Sequence, residues 1–561
     1  MTATGPAPAP TRARAQDPDP APIGDFSRLI RAEWTKLRTV RGWAVAMAVA
    51  VLLTVALGVL TTSSARASNG CAPTVRICGP LTGPGGEPVS DSFTFVHRPL
   101  DGDGTITARV TALTGQRQLL PPGPGEGPSA KQPTGKQPTG KPSAGKQPTG
   151  KQPPGLEPWA KTGLLIKAST QAGSSYAAVM VTGAHGVRMQ DDFTHDTAGP
   201  RGAVTAASPR WLRLTRDGAL ITGYASADGA RWTKVGAARL PALPRTVQAG
   251  PFAASPQFMA VDSHFLGQSA SSGPTRATGV LDHLALEGPG GTNTAWPQAG
   301  WQATRIGDDP TAPPIDAAPY QLSGGRLTVN GTGDIAPGVG GQAFGSRSIE
   351  RDLAGTFAGL VVLIVIGTSF VTSEYRRGLI RTTLAAEPRR GRVLAAKAVV
   401  MGAAAFVVGG AAAALAVVIG GRLLDAKGVY VQPVGTATQL RVIVGTAVLL
   451  AVASVLALAA GTVLRRAAGA VTAVTAVTVL PYVLVVSAAV PAGTSRWLLR
   501  VTPAAAFAVQ QTLSRYRQVD NLYTPSNGYY PLTPWEGLAV LCGYAALALG
   551  LAYVLLRRRD A

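Results

Sequence analysis

Three features of this chain have the residue types and spacing that chemistry requires. Gly135 through Lys141 reads G-x-x-x-x-G-K, the opening of a phosphate-binding loop. Magnesium ligation needs Ser or Thr next, but the residue is Pro142, and no strand–loop–helix context surrounds it. The unit Lys-Gln-Pro-Thr-Gly, recurring from Lys131, generates the match by itself, which excludes nucleotide binding there. Cys71 and Cys78 form the second feature. Two cysteines with no His nearby are too few ligands for zinc. In an oxidising compartment they suit a disulfide worth roughly 2–3 kcal/mol in the loop-entropy model, with two free thiols as the alternative. Carboxylates are the third. They fall mostly in turns such as Asp101-Gly102, Asp217-Gly218 and Asp228-Gly229, so no pair is placed for hydrolysis. The sequence therefore offers no catalytic residue and no metal site.

The elements that position these residues differ sharply along the chain. Apolar residues make up 46% of the 561 and charged residues only 15%, yet neither half matches that average. The net charge is +22, and its placement decides its meaning. Arg28, Arg31, Lys36, Arg38 and Arg41 precede an apolar run, and Arg557 to Arg559 follow another. That is the pattern of membrane topology rather than of nucleic-acid binding.

Residues 1–24 are rich in Pro, Ala and Thr without periodicity and read as a disordered tail. Over 25–61, Phe26, Leu29, Ile30, Trp34 and Leu37 recur at helical spacing with basic residues between them. This is a basic amphipathic helix for the membrane lipid surface, leading into a first span, with Trp34 at headgroup level. Six uncharged runs, near 43–61, 353–371, 398–421, 442–464, 468–490 and 535–556, are long enough to cross a bilayer. Their Gly and Ala content suits close helix packing, and Pro481 is expected to kink the fifth. With six spans, the basic segments 373–397 and Arg465-Arg466 share one side with both termini. The positive-inside rule makes that side cytoplasmic in a plasma-membrane protein and leaves 62–352 outside. Ala65-Arg66-Ala67 resembles a signal-peptidase site, but the length of the preceding run favours a retained span. Charge is essentially absent from the spans beyond Glu536, which argues against an ion-coupled carrier.

The outside segment reads as all-β. Phe93-Thr-Phe95-Val96 and Thr105 to Val110 alternate with period two, and further runs cover 163–168, 176–182, 211–216, 220–226 and 232–235. Asp-Gly pairs separate several of them. Many short strands with regular turns imply a sandwich. Residues 117–158 interrupt it with the Pro/Gly/Lys repeat, read as a flexible insertion.

Phe93-Thr-Phe95, Asp101-Gly-Asp103, Trp159-Ala-Lys-Thr-Gly-Leu-Leu-Ile-Lys167, Trp211-Leu-Arg-Leu-Thr-Arg216 and Tyr224 through Trp232 together resemble the concanavalin A-like jelly-roll modules related to laminin G domains. Such modules often bind glycans. The resemblance implies Trp159, Trp211 and Trp232 as candidate stacking residues for a cell-wall sugar, against a core role for the same aromatics.

The membrane part carries a second resemblance. Glu33-Trp-Thr-Lys-Leu-Arg-Thr-Val-Arg-Gly-Trp43 is similar to the opening of actinobacterial ABC-2-type transporter permeases. Glu374-Tyr-Arg-Arg-Gly-Leu-Ile-Arg-Thr-Thr-Leu384, followed by Pro388-Arg-Arg-Gly-Arg-Val-Leu-Ala-Ala-Lys397, is similar to their first cytoplasmic loop. The likeness covers 25–61 and 353–561; the large insertion after the first span departs from it. It implies a permease core, homodimeric or paired, driven by a separate cytosolic ATPase that binds the ATP and magnesium. Glu374, Tyr375, Arg376, Arg377, Gly378, Pro388, Arg389 and Arg390 would form the ATPase-coupling loop, beside Glu33, Trp34, Lys36 and Arg38 of the interfacial helix. The expected fold is thus a polytopic six-helix membrane protein with a jelly-roll sandwich inserted between its first two spans. The competing class is a membrane-anchored glycan-binding or wall-sensing protein.

Overall fold

The computed structural model describes residues 24–63, 80–117, 155–264, 267–289, 293–295, 301–307, 318–339, 348–429, 431–487, 489–519, 523, 525 and 528–558. Cys71, Cys78, Ala65-Arg66-Ala67 and the repeat with its Gly135–Lys141 decoy lie outside the described residues.

The chain opens with helix α1, Gly24–Thr39, and turns into α2, Arg41–Ser63. After the β region follow α3 (Thr356–Arg376), α4 (Leu379–Ala386), α5 (Arg390–Ala426), α6 (Thr436–Leu464), α7 (Ala467–Val486), α8 (Ala492–Val501) and α9 (Pro534–Arg558). Among the described residues, six helices are long and apolar enough to cross a membrane: α2, α3, α5, α6, α7 and α9. Pro481 lies inside α7. Helix α6 is central, packing on α3, α5, α7 and α9. Helix α2 turns Val45, Leu52 and Leu60 outward and buries the small-residue stripe Ala50, Thr54, Gly58 and Thr62 against α3 and α5. A Cβ at Gly58 would collide with the Asp352 carbonyl, so the close approach requires glycine.

Between α2 and α3 stands a two-sheet antiparallel sandwich. One sheet runs Gln302–Ile306, Phe93–Asp101, Thr246–Ala254, Lys161–Lys167, Tyr176–Thr182, Val187–Asp191, His195–Ala198. The other runs Thr233–Arg239, Leu220–Ser226, Arg210–Asp217, Gly104–Arg117, Thr275–Glu287, Arg326–Gly331, Tyr320–Ser323, with Asn293–Ala295 added beside Thr275–Glu287. Leu164, Ile166, Val179 and Val181 of the first sheet meet Ile106, Val110, Leu212 and Leu214 of the second, as the alternation along each strand requires.

The first sheet is buried on its other face too. There the short ribbon Val89–Asp91, paired with Ile335–Pro337, covers Phe93, Phe95, Leu165 and Tyr176. Two buried lysines of one strand fasten the ribbon. Lys167 Nζ reaches Asp91 Oδ2 at 2.8 Å, and Lys161 Nζ reaches Asp334 Oδ1 at 2.7 Å and the Ile335 carbonyl at 3.0 Å. Burial in this apolar layer pushes the Asp91 carboxyl up and the Lys167 ammonium down, against the attraction between them. The two chain segments that join the sandwich to the membrane helices are thereby locked to one sheet.

The long connection 491–534 differs from a plain loop. Residues Pro503–Gln510 form a 3-10 segment that is buried throughout among the spans. Phe507 stacks on Tyr482 at 3.8 Å, and Gln510 Nε2 donates to Thr356 Oγ1 at 3.1 Å and Thr446 Oγ1 at 3.2 Å. Eight residues are too short to read as a span, yet the Pro-Ala-Ala-Ala-Phe-Ala-Val composition suits a buried insert.

Candidate functional site

The bundle has two polar poles. At the end away from the sandwich, α1 lies against α5 and turns Ile30, Glu33 and Leu37 inward. Glu33 is only 2% exposed, although its type suggests the solvent face; its i, i+4 relation to Leu37 was the available signal. Trp34 stays 47% exposed on the opposite side, where an apolar ring can meet lipid.

Glu33 meets two residues from other helices. Lys397, 1% exposed and two turns inside α5, places Nζ 2.9 Å from Glu33 Oε2 and 2.6 Å from Glu374 Oε1 at the end of α3. Lys36 Nζ closes the set from the rim, 2.9 Å from Glu33 Oε1 and 3.3 Å from Glu374 Oε1. Two carboxylates and two ammoniums give a neutral cluster that ties α1, α3 and α5 together. A lone charge at this depth would cost several kcal/mol, so each member depends on the others. By charge pattern Lys397 reads as part of the loop; α5 instead begins at Arg390 and carries it into the packed bundle.

Of the residues predicted for an ATPase-coupling loop, Glu374 belongs to this joint and the others follow it along the chain. Tyr375 and Arg376 finish α3, with Arg465 over the Tyr375 ring at 5.2 Å. Gly378 stands at φ 68°, the left-handed conformation that closes one helix and opens another. Helix α4 follows, with Ile380 buried and Arg381 exposed. Pro388 and Arg389 are exposed, and Arg390 donates from the first turn of α5 to the Leu556 carbonyl of α9. Arg38, farther along α1, is exposed and outside the cluster. The elbow 377–389 thus hangs from α3 and α5, and the salt cluster fastens both helices to α1. A push on the elbow reaches two spans directly.

At the sandwich end, carboxyls are held by hydroxyls. Thr512 donates to Glu350, and Thr62 Oγ1 donates to Asp352 Oδ1 at 2.8 Å. Glu350 sits in the short 3-10 turn before α3, and burial pushes its carboxyl up to about 7.

The three tryptophans are not equivalent. Trp211 and Trp232 are half-buried on the outer face of their sheet, under Arg109 at 5.6 Å and Arg213 at 3.9 Å. Trp159 is 3% exposed and stacks on His185 at 4.0 Å. No shared aromatic platform joins them. Among the described residues no cluster of three or more potential ligands could hold a metal ion.

Six apolar spans with a charged joint at one end and an inserted sandwich at the other define a polytopic membrane protein. Residues 169–561 match the family model described as ABC-2 family transporter protein, well over half of the chain, and the chain belongs to that family. The match begins within the sandwich and does not include α1 or α2. Among curated proteins, none matches this chain. Among solved structures, a functionally unknown protein from Saccharomyces cerevisiae aligns at 13% identity and TM-score 0.20, over 35% of this chain and 74% of that one. SCP-B, a member of the Eqolisin family of peptidases, aligns at 9% and 0.23, over 43% and 98% respectively.

Proposed function

We propose that this chain is the membrane subunit of an ABC exporter, with a separate cytosolic ATPase docking at the elbow 377–389. The salt cluster of Glu33, Lys36, Glu374 and Lys397 carries the reading, because it converts a surface elbow into a lever on α3 and α5. ATP and magnesium belong to the partner. Two copies of this chain, or this chain and a related one, surround the pathway. Basic residues around α1, the elbow and Arg557-Arg558 support a cytoplasmic location for that end, with the sandwich outside the plasma membrane. Helix α1, with exposed Trp34 and Arg38, rests on the inner lipid surface. Apart from Glu374 and Lys397 of the salt cluster near one end, the spans bury almost no charge, which suits a hydrophobic or bulky substrate.

Two experiments test this. Tagged protein captured from native membranes should retain a subunit with Walker motifs. A cysteine at Ala230 should react with a membrane-impermeant maleimide in intact cells, whereas one at Ala385 should react only after lysis. Capture without any ATPase, alongside sugar binding by the sandwich through Trp159, Trp211 or Trp232, would instead support a glycan-binding anchor protein.

A further inference from the structure

A cleft of about 770 Å³ separates the sandwich from the connection that follows the buried 3-10 segment. Its sandwich wall carries His185, Arg188 and Arg201, and its other wall carries Arg515 and Arg517. Gln518 joins the walls, donating to the Phe193 carbonyl at 3.3 Å and the Thr194 carbonyl at 3.0 Å. Among the described residues that line the cleft the one acid is Asp196, which is paired with Arg188 and accepts from Gln190 at 3.1 Å. Arg201, Arg515 and Arg517 form no ion pair among the described residues, and all three are exposed.

Two surfaces of the same sign therefore face each other across a joint that the Gln518 side chain holds together. Facing like charges weaken such a contact, and a multivalent anion between them reverses the sign of the interaction. Guanidinium forks match phosphate oxygens in geometry as well as charge. We propose that this cleft binds a phosphate-bearing ligand that clamps the sandwich to segment 511–518. The clamp has a route inward. Thr512 holds Glu350 beside α3, and Gln510 bonds Thr356 of α3 and Thr446 of α6. Occupancy would thus be felt by two spans from the sandwich end, independently of the ATPase joint.

The phosphate can come from a lipid headgroup or from a soluble ester, and one experiment separates them. The full chain is placed in nanodiscs of neutral phosphatidylcholine, and hydrogen exchange is followed at 185–201 and 511–519 while inorganic pyrophosphate is added. A second set of discs contains phosphatidylglycerol. Protection of both segments by pyrophosphate identifies a soluble ligand; protection only in the anionic discs identifies a headgroup. The double variant Arg515→Glu/Arg517→Glu, which reverses one wall only, should weaken the protecting interaction roughly tenfold or more, while the ligand-free contact at Gln518 becomes better protected because repulsion is relieved. No protection from either source overturns the proposal. So does protection matched by sodium chloride at equal ionic strength, or binding unchanged in the variant.

Discussion

The two ends of the helical bundle bury ionisable groups by different means. At the elbow end, Lys397 neutralises Glu33 and Glu374 directly, and Lys36 completes the set. At the sandwich end, Glu350 and Asp352 are held by the hydroxyls of Thr512 and Thr62. The paired cluster ties α1, α3 and α5 through mutual attraction and acts as a fixed joint. A hydroxyl-held carboxyl pushed up to about 7 can change charge near neutrality, so that end is the adjustable one.

Breaking the fixed joint should have the largest effect. Lys397→Met leaves Glu33 and Glu374 with only the half-exposed Lys36 at the rim, at a cost of about 3–5 kcal/mol. Thermal unfolding in detergent should show it, and adding Glu33→Gln and Glu374→Gln should recover much of the loss. If the single variant is as stable as the parent, the joint is not a unit.

The sandwich end should answer to pH instead. Folding raises the Glu350 pKa from 4.5 to about 7, so the folded chain holds its proton more tightly than the unfolded chain does. The stabilisation contributed by Glu350 should be full below about pH 4.5, fall as pH rises, and be gone above about 7. Glu350→Gln should flatten this part of the thermal profile between pH 5 and 8, whereas Glu33→Gln should not.

Smaller effects sharpen the picture. Gly378→Val forces a branched side chain into the left-handed region, costing roughly 1–2 kcal/mol. Its effect on ATPase stimulation should exceed its effect on the unfolding midpoint. Lys36→Met removes only the rim member, whose side chain is 45% exposed, and should cost less than about 1 kcal/mol.

Much of this architecture was legible. Strands at Phe93, Thr105, Tyr176, Trp211 and Leu220 follow the period-two alternation and their Asp-Gly turns, and six spans follow from length and hydropathy. What escaped depended on contacts between distant segments. Lys397 reads as one more loop charge until α5 is seen to start at Arg390 and Glu33 to face inward. Lys161 and Lys167 flank an apolar strand, a pattern suggesting solvated ends, but the returning ribbon covers them. The buried stretch Pro503–Gln510 has no helical period to announce it. Trp159, Trp211 and Trp232 look alike in sequence, yet of the three Trp159 alone lines the cleft between the sandwich and segment 515–518.

The most direct test of the account is capture of the partner by paired variants of the two ends. Arg377→Glu/Arg389→Glu reverses exposed charge on the elbow, and Arg515→Glu/Arg517→Glu does the same on the sandwich side. Each tagged variant is purified from native membranes at matched expression, and the Walker-containing subunit recovered with it is quantified. The account predicts that the elbow variant loses the ATPase while the sandwich-side variant retains it. Equal recovery with both variants, or loss only with the second, would contradict it.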